Sequence, residues 1–102
     1  MEPSPDDIVE RLEALRPRLE REYKVRIFGL FGSRARGDAR PGSDLDVAYR
    51  WLFEDEGNLF DLGGVWHEIN AEFGLPVSLV DWDHARESFK RRASRDLLTF
   101  HG

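Results

Sequence analysis

Two aspartates, Asp44 and Asp46, stand two positions apart at the mouth of an apolar run. A β-strand repeats every two residues, so within a strand both carboxylates leave the same face, a few ångströms apart. Like charges that close must share a cation or a proton. Mg2+ suits such a pair, because it takes one or two carboxylates and fills the rest of its shell with phosphate oxygens and water. Two such ions about 4 Å apart can stabilise both the entering and the leaving oxygen of a phosphoryl displacement. Ten residues separate Asp44 from an earlier pair, Gly32-Ser33. A glycine lets the backbone approach a polyphosphate closely. Amides that open a helix after a strand point at an anion, and Ser33 adds a hydroxyl donor. Arg34, Arg36 and Arg40 lie between the pairs and could neutralise phosphate charge. Singly, each feature is commonly a turn or a polar strand end. Together they differ, because two acids on one face of a buried strand need something cationic to compensate them.

These residues need strands and turns to hold them. Val25 to Phe31 reads as the first strand, apolar on both faces apart from Arg26 and therefore central in its sheet. Gly32-Ser33 ends it, Ser33 to Arg36 opens a short helix, and Gly37 stops that helix. Pro41-Gly42 is a turn pair. Asp44 to Trp51 is the second strand, with Leu45, Val47 and Tyr49 on one face and Asp44, Asp46 and Ala48 on the other. Pro76 to Asp81 is the third.

Helices surround these strands. Ser4-Pro5-Asp6-Asp7 is a helix start, followed by Ile8, Leu12, Leu15, Leu19 and Tyr23 on one face. Pro17 is expected to kink or split this helix near Arg16. After a polar loop from Glu54 to Asn58, a helix spans about Leu59 to Phe73, weakened by Gly63-Gly64 and stopped by Gly74. Asp83 is expected to cap a last helix, with Phe89, Ala93 and Leu97 inward and Arg86, Lys90, Arg91, Arg92 and Arg95 outward. That basic face is either simply solvated or meets an acidic partner. The expected fold is α/β (α+β): one domain over residues 1–102, with a small mixed sheet of three to four strands flanked by helices.

Composition narrows the function. A net charge of −5 argues against general nucleic-acid binding, which needs a basic footprint, yet permits a nucleotide held with metal ions. There is no cysteine, so disulfides and thiolate metal sites are excluded. Neither a signal peptide nor a membrane-spanning run is present, and a cytoplasmic protein is expected. His67, His84 and His101 lack ligand spacing and read as surface or capping residues. Trp66 falls on a helical stripe and is expected in the core. Trp51, Phe53 and Trp82 lie near strand ends and are expected to pack at the sheet edge.

The stretch Phe31–Asp46, with Gly-Ser-Arg-Ala-Arg-Gly and Gly-Ser-Asp-Leu-Asp, resembles the signature of the nucleotidyltransferase superfamily that includes DNA polymerase beta and kanamycin nucleotidyltransferase. At this length the chain resembles a minimal nucleotidyltransferase (MNT) domain, and the resemblance extends to Val77–Trp82 and the basic helix after it. It implies metal binding by Asp44 and Asp46, triphosphate binding by Gly32 and Ser33, and a phosphate contact from Arg36. It also implies a small all-helical HEPN partner, within a toxin–antitoxin pair in which the MNT protein transfers AMP from ATP to the partner. The pattern expects a third carboxylate on the third strand, where this chain has Ser78. Asp81, three residues on, belongs to the opposite face and reaches the site only if the strand ends or bulges before it. Two functions therefore stand: Mg2+-dependent nucleotidyl transfer to an acceptor hydroxyl, or a catalytically impaired nucleotide-binding antitoxin that masks a helical partner, alone or as part of an oligomer.

Overall fold

The computed structural model describes residues 3–53 and 57–100. Glu54–Glu56 of the expected polar loop, and His101, lie outside the described residues. The elements run α1 (Pro5–Tyr23), β1 (Val25–Phe31), α2 (Ser33–Arg36), β2 (Leu45–Trp51), α3 (Leu59–Phe73), β3 (Val77–Asp81), α4 (Glu87–Ser94) and β4 (Leu98–Thr99). They form a mixed sheet in the order β3-β2-β1-β4. β1 pairs antiparallel with both β2 and β4, whereas β2 and β3 are parallel and joined through α3. A parallel pair needs such a crossover, and the helical stripe of α3 supplies it. β1 is central, as its apolar sequence predicts.

One face of the sheet carries the main core. Ile8, Leu12 and Leu19 of α1 and Val65 and Ile69 of α3 pack on Val25, Ile27, Leu45, Val47 and Tyr49. Ser4 caps α1 by accepting from the Asp7 amide at 3.1 Å. Pro17 does not split the helix. It removes one amide donor, but fully buried Leu12 and Leu19 anchor α1 to the sheet on both sides of it. The opposite face holds a smaller cluster of Phe31, Ala48 and Ala93, joined by Phe28, Val80, Trp82, Phe89 and Leu97. At the strand ends, Trp51 meets Tyr49 edge-to-face at 5.8 Å, whereas Phe53 is exposed.

The C-terminal quarter departs from the sequence expectation. Asp83 caps no helix: it lies in a 3-10 turn, Trp82–His84, and pairs with Arg50 at 3.1 Å. The helix starts later, at Glu87, and Arg86 at its N-cap makes no side-chain cap bond. Leu97 lies past the helix, in the turn leading to β4, and packs against Gly29. Trp66 is not a core residue. It is 41% exposed and spans the surface to donate from Nε1 to the Val77 carbonyl at 3.0 Å. An indole needs a partner for its N–H, and the rim of the core supplies one.

Candidate nucleotidyl-transfer site

β1 delivers the chain to Gly32, which adopts φ 76° and ψ −159°. A side chain is doubly disfavoured there, because a Cβ on Gly32 would also collide with Oδ2 of Asp46. The glycine thus lets the β1–α2 turn lie directly against the carboxylate. Ser33 opens α2, whose single turn closes on the Gly32 carbonyl through the amides of Ala35 and Arg36, both at 3.1 Å. Gly37, with φ 84°, ends it.

The loop from Gly37 to Asp44 is folded around Arg34. This guanidinium is buried, and both Nε and Nη2 donate to the Ser43 carbonyl, at 3.1 and 2.9 Å. Ser43 Oγ accepts from the Arg40 amide at 3.0 Å, closing the turn around Gly42. Arg34 is therefore an internal strut that sets where Asp44 and the start of β2 fall. Leu45 then donates to the Pro76 carbonyl at 2.8 Å and begins the pairing with β3.

Asp44 precedes β2 and is exposed; Asp46 lies within it and is half-buried. Burial pushes the Asp46 carboxyl above the usual carboxylate range, Asp44 pushes it further, and Arg36 partly opposes both. Asp46 thus behaves as an acid that lacks sufficient positive charge nearby. Arg36 lies close enough to act on Asp46, but its guanidinium is engaged by acids. Nε bonds Asp38 at 3.1 Å and Nη1 bonds Asp96 at 2.8 Å.

The β2–β3 register places Ser78 directly beside Asp46 on the same face. Asp81 lies beside Tyr49, on the face that α1 and α3 cover. The strand neither ends nor bulges before it, so Asp81 is kept from the acid pair. Its Oδ2 instead contacts His84 Nδ1 at 2.9 Å, while Oδ1 is buried without a hydrogen-bond partner among the described residues. Burial, and then Asp81, push the Tyr49 hydroxyl up to about 12. Among the described residues, no group of three or more His, Cys, Asp or Glu could hold a metal ion. The structure thus brings together Gly32, Ser33, Asp44, Asp46, Arg36 and Ser78, and leaves Asp81 out. Sequence reasoning missed Asp96, because its contact with Arg36 spans 60 residues and no local pattern encodes it. A cleft of about 290 Å³ between Pro5 and Ala39 contains neither site aspartate.

An antiparallel β1–β2 pair thus holds a glycine turn against a strand carboxylate. The family described as Polymerase beta, Nucleotidyltransferase matches residues 13–98, and the chain belongs to it. A solved structure assigned as a minimal nucleotidyltransferase is 25% identical, with a TM-score of 0.67 over 88% of this chain and 93% of that one. Within the family, then, the chain is a minimal nucleotidyltransferase domain. It is 28% identical over 93 residues to a protein adenylyltransferase MntA of Thermococcus cleftensis, covering 91% of this chain and 92% of the relative. The fold is also that of a tri-AMPylated Shewanella oneidensis HEPN toxin complex with an MNT antitoxin: TM-score 0.62, 16% identity, 96% of this chain and 72% of that one.

Proposed function

We propose that this chain is an adenylyltransferase that moves AMP from ATP to a hydroxyl on a small, all-helical HEPN-type partner, as the antitoxin of such a pair. The observation that carries the reading is the contact between two parts of the motif: the Gly32 turn lies against the Asp46 carboxylate. The relative named a protein adenylyltransferase supports AMP and a protein acceptor. Asp44 and Asp46 fit a hard divalent cation, because they repel each other and are offset only partly by Arg36. Mg2+ bound there would neutralise developing phosphate charge. Gly32 and Ser33 hold the triphosphate, and Arg36 faces its outer phosphates if it exchanges Asp38 or Asp96 for them. The acceptor oxygen bonds to the α-phosphorus, the bond to the bridging oxygen breaks, pyrophosphate leaves, and the hydroxyl proton passes to water. Positioning and charge neutralisation supply most of the acceleration. ATP as donor fits a cytoplasmic location.

A second reading rests on Ser78. It stands beside Asp46 where a third carboxylate would complete the site, and a chain lacking that acid could bind nucleotide and mask its partner without turnover. Transfer of radiolabelled AMP to the co-expressed partner separates the two. The native chain labels the partner, and Asp44→Ala or Asp46→Ala lowers the rate by roughly a hundredfold or more. Full labelling by both variants overturns the enzyme reading. If only Ser78→Asp labels the partner, the natural chain is the impaired antitoxin.

A further inference from the structure

We propose that the outer face of α4, with Arg86, Arg91, Arg92 and Arg95, is a docking surface for an acidic segment of the polypeptide that carries the acceptor hydroxyl. Residues 86–95 hold five cations and one acid, Glu87, in a chain whose net charge is −5. Glu87 is taken by Lys90 at 3.2 Å. The four arginines are exposed and pair with no acid among the described residues. Elsewhere the arginines are largely matched: Arg11 with Asp7 and Glu72, Arg18 with Glu22 and Glu68, Arg26 with Glu20, and Arg50 with Asp83. The unmatched charge is thus concentrated on one helix.

Helix stability accounts for only part of this concentration. A helix C-terminus favours cations, which covers Arg91 and Arg92 in the last turn and Arg95 at the C-cap. Arg86 stands at the other end, at the N-cap, where the dipole opposes a cation and where its side chain caps nothing. Arg86 thus gains nothing from the helix and is available to a group outside the chain.

Location says what that is. Phe89 packs edge-to-face on Phe31 at 5.7 Å, and Phe31 is the register partner of Asp46. Ala93 clusters with Ala48, which shares Asp46's face of β2. The Arg36–Asp96 bond then ties the chain just beyond α4 to α2, beside the acid pair. A macromolecule that presents a hydroxyl to Asp44 and Asp46 on this face abuts α4. The helix is about 12 Å long, a length that suits a short acidic segment. A nucleic-acid strand, charged at every nucleotide, would run on past α4 into Asp38, Asp44, Asp46 and Asp96. An acidic peptide can end its charges at α4 and offer a neutral hydroxyl beyond them. The choice of acceptor rests on the proposed transfer activity, but docking is measured without ATP.

The test is fluorescence anisotropy with the full chain and a labelled random copolymer of glutamate and tyrosine. A labelled oligouridine serves as the competing chemistry. The native chain binds the copolymer, more weakly as salt rises. The triple variant Arg91→Glu, Arg92→Glu, Arg95→Glu loses about tenfold or more in affinity while staying folded, with a modestly lower melting temperature because the helix C-terminus favours cations. The milder Arg91→Gln, Arg92→Gln gives an intermediate loss, and it decides the matter if the triple variant does not fold. Unchanged binding by the variants, no binding at low salt, or tighter binding of oligouridine overturns the proposal. Label transfer from ATP to the copolymer is read separately. A native chain that binds the copolymer but labels neither it nor the co-expressed partner removes the transfer activity and leaves the docking face standing.

Discussion

The two faces of the sheet are built differently. Under α1 and α3 the contacts are aliphatic and closed: Ile8, Leu12, Leu19, Ile27, Leu45, Val47, Val65 and Ile69 have no exposed surface. Under α4 the cover is short, largely aromatic and incomplete, with Phe28, Phe31, Phe89 and Trp82 around the small residues Ala48 and Ala93. The acid pair is on the second face. A carboxylate in the middle of the closed face would lose its water with no compensation, as Oδ1 of Asp81, without a partner among the described residues, already does at the edge of that face, whereas at the rim of α4 the acid pair keeps solvent on one side. Stability is concentrated on one face, which frees the other to hold mismatched charge.

Core truncation sharpens this contrast most. Leu12→Ala leaves a cavity in the closed face and is expected to cost about 2–5 kcal/mol. Phe89→Ala removes a larger side chain but one only partly buried, and is expected to cost about half as much. Urea titrations of the two variants measure this. Equal costs would show that α4 is as tightly built as α1.

Adjacent glycines in α3 supply a second, smaller contrast. A Cβ at Gly64 would run into the Tyr23 ring, whereas Gly63 has nothing within 4 Å. Gly63→Ala gains helix propensity and should stabilise by about 0.5–1 kcal/mol. Gly64→Ala gains the same propensity but forces α1 and α3 apart, with a net loss of about 1–3 kcal/mol. Opposite shifts in melting temperature are expected. Shifts of the same sign would mean that Tyr23 swings away freely.

How legible this was depends on the range of the interactions. β1, α2 and α3 follow from local signals: an apolar run, a glycine stop, a stripe of 3.6 period. The Gly32–Asp46 relation was readable as a spacing, although the reason for the glycine, contact with a carboxylate across the β1–β2 pair, needed the register. Pro17 does not split α1 because local propensity is set against a tertiary anchor that sequence does not show. The C-terminal quarter departs from its sequence pattern for another reason. A continuous apolar rhythm at Phe89, Ala93 and Leu97 hid a change from helix to strand, and only Leu97's seat at Gly29 explains that change. The roles of Arg34, Arg36 and Asp96 could not be separated in advance, since three arginines in one loop look alike until one is buried and one is paired.

The smallest expected effect tests whether the open face carries a cost. Asp46 is an acid whose folded pKa lies above its ordinary value, through burial and then Asp44. The folded state therefore holds that proton more tightly than the unfolded chain does. Stability falls as pH rises from the unfolded value through the folded one, and the whole cost stands at neutral pH. Asp46→Asn carries no such cost, so it should melt slightly above the native chain at neutral pH. The gap should close on acidification through the carboxylate range. Mg2+ with ATP should raise the melting temperature of the native chain and leave Asp46→Asn nearly unchanged, because a ligand stabilises only the state that binds it. An Asn variant that melts below the native chain at neutral pH would mean that the carboxylate is already compensated within the fold, and that the two faces differ in packing but not in charge.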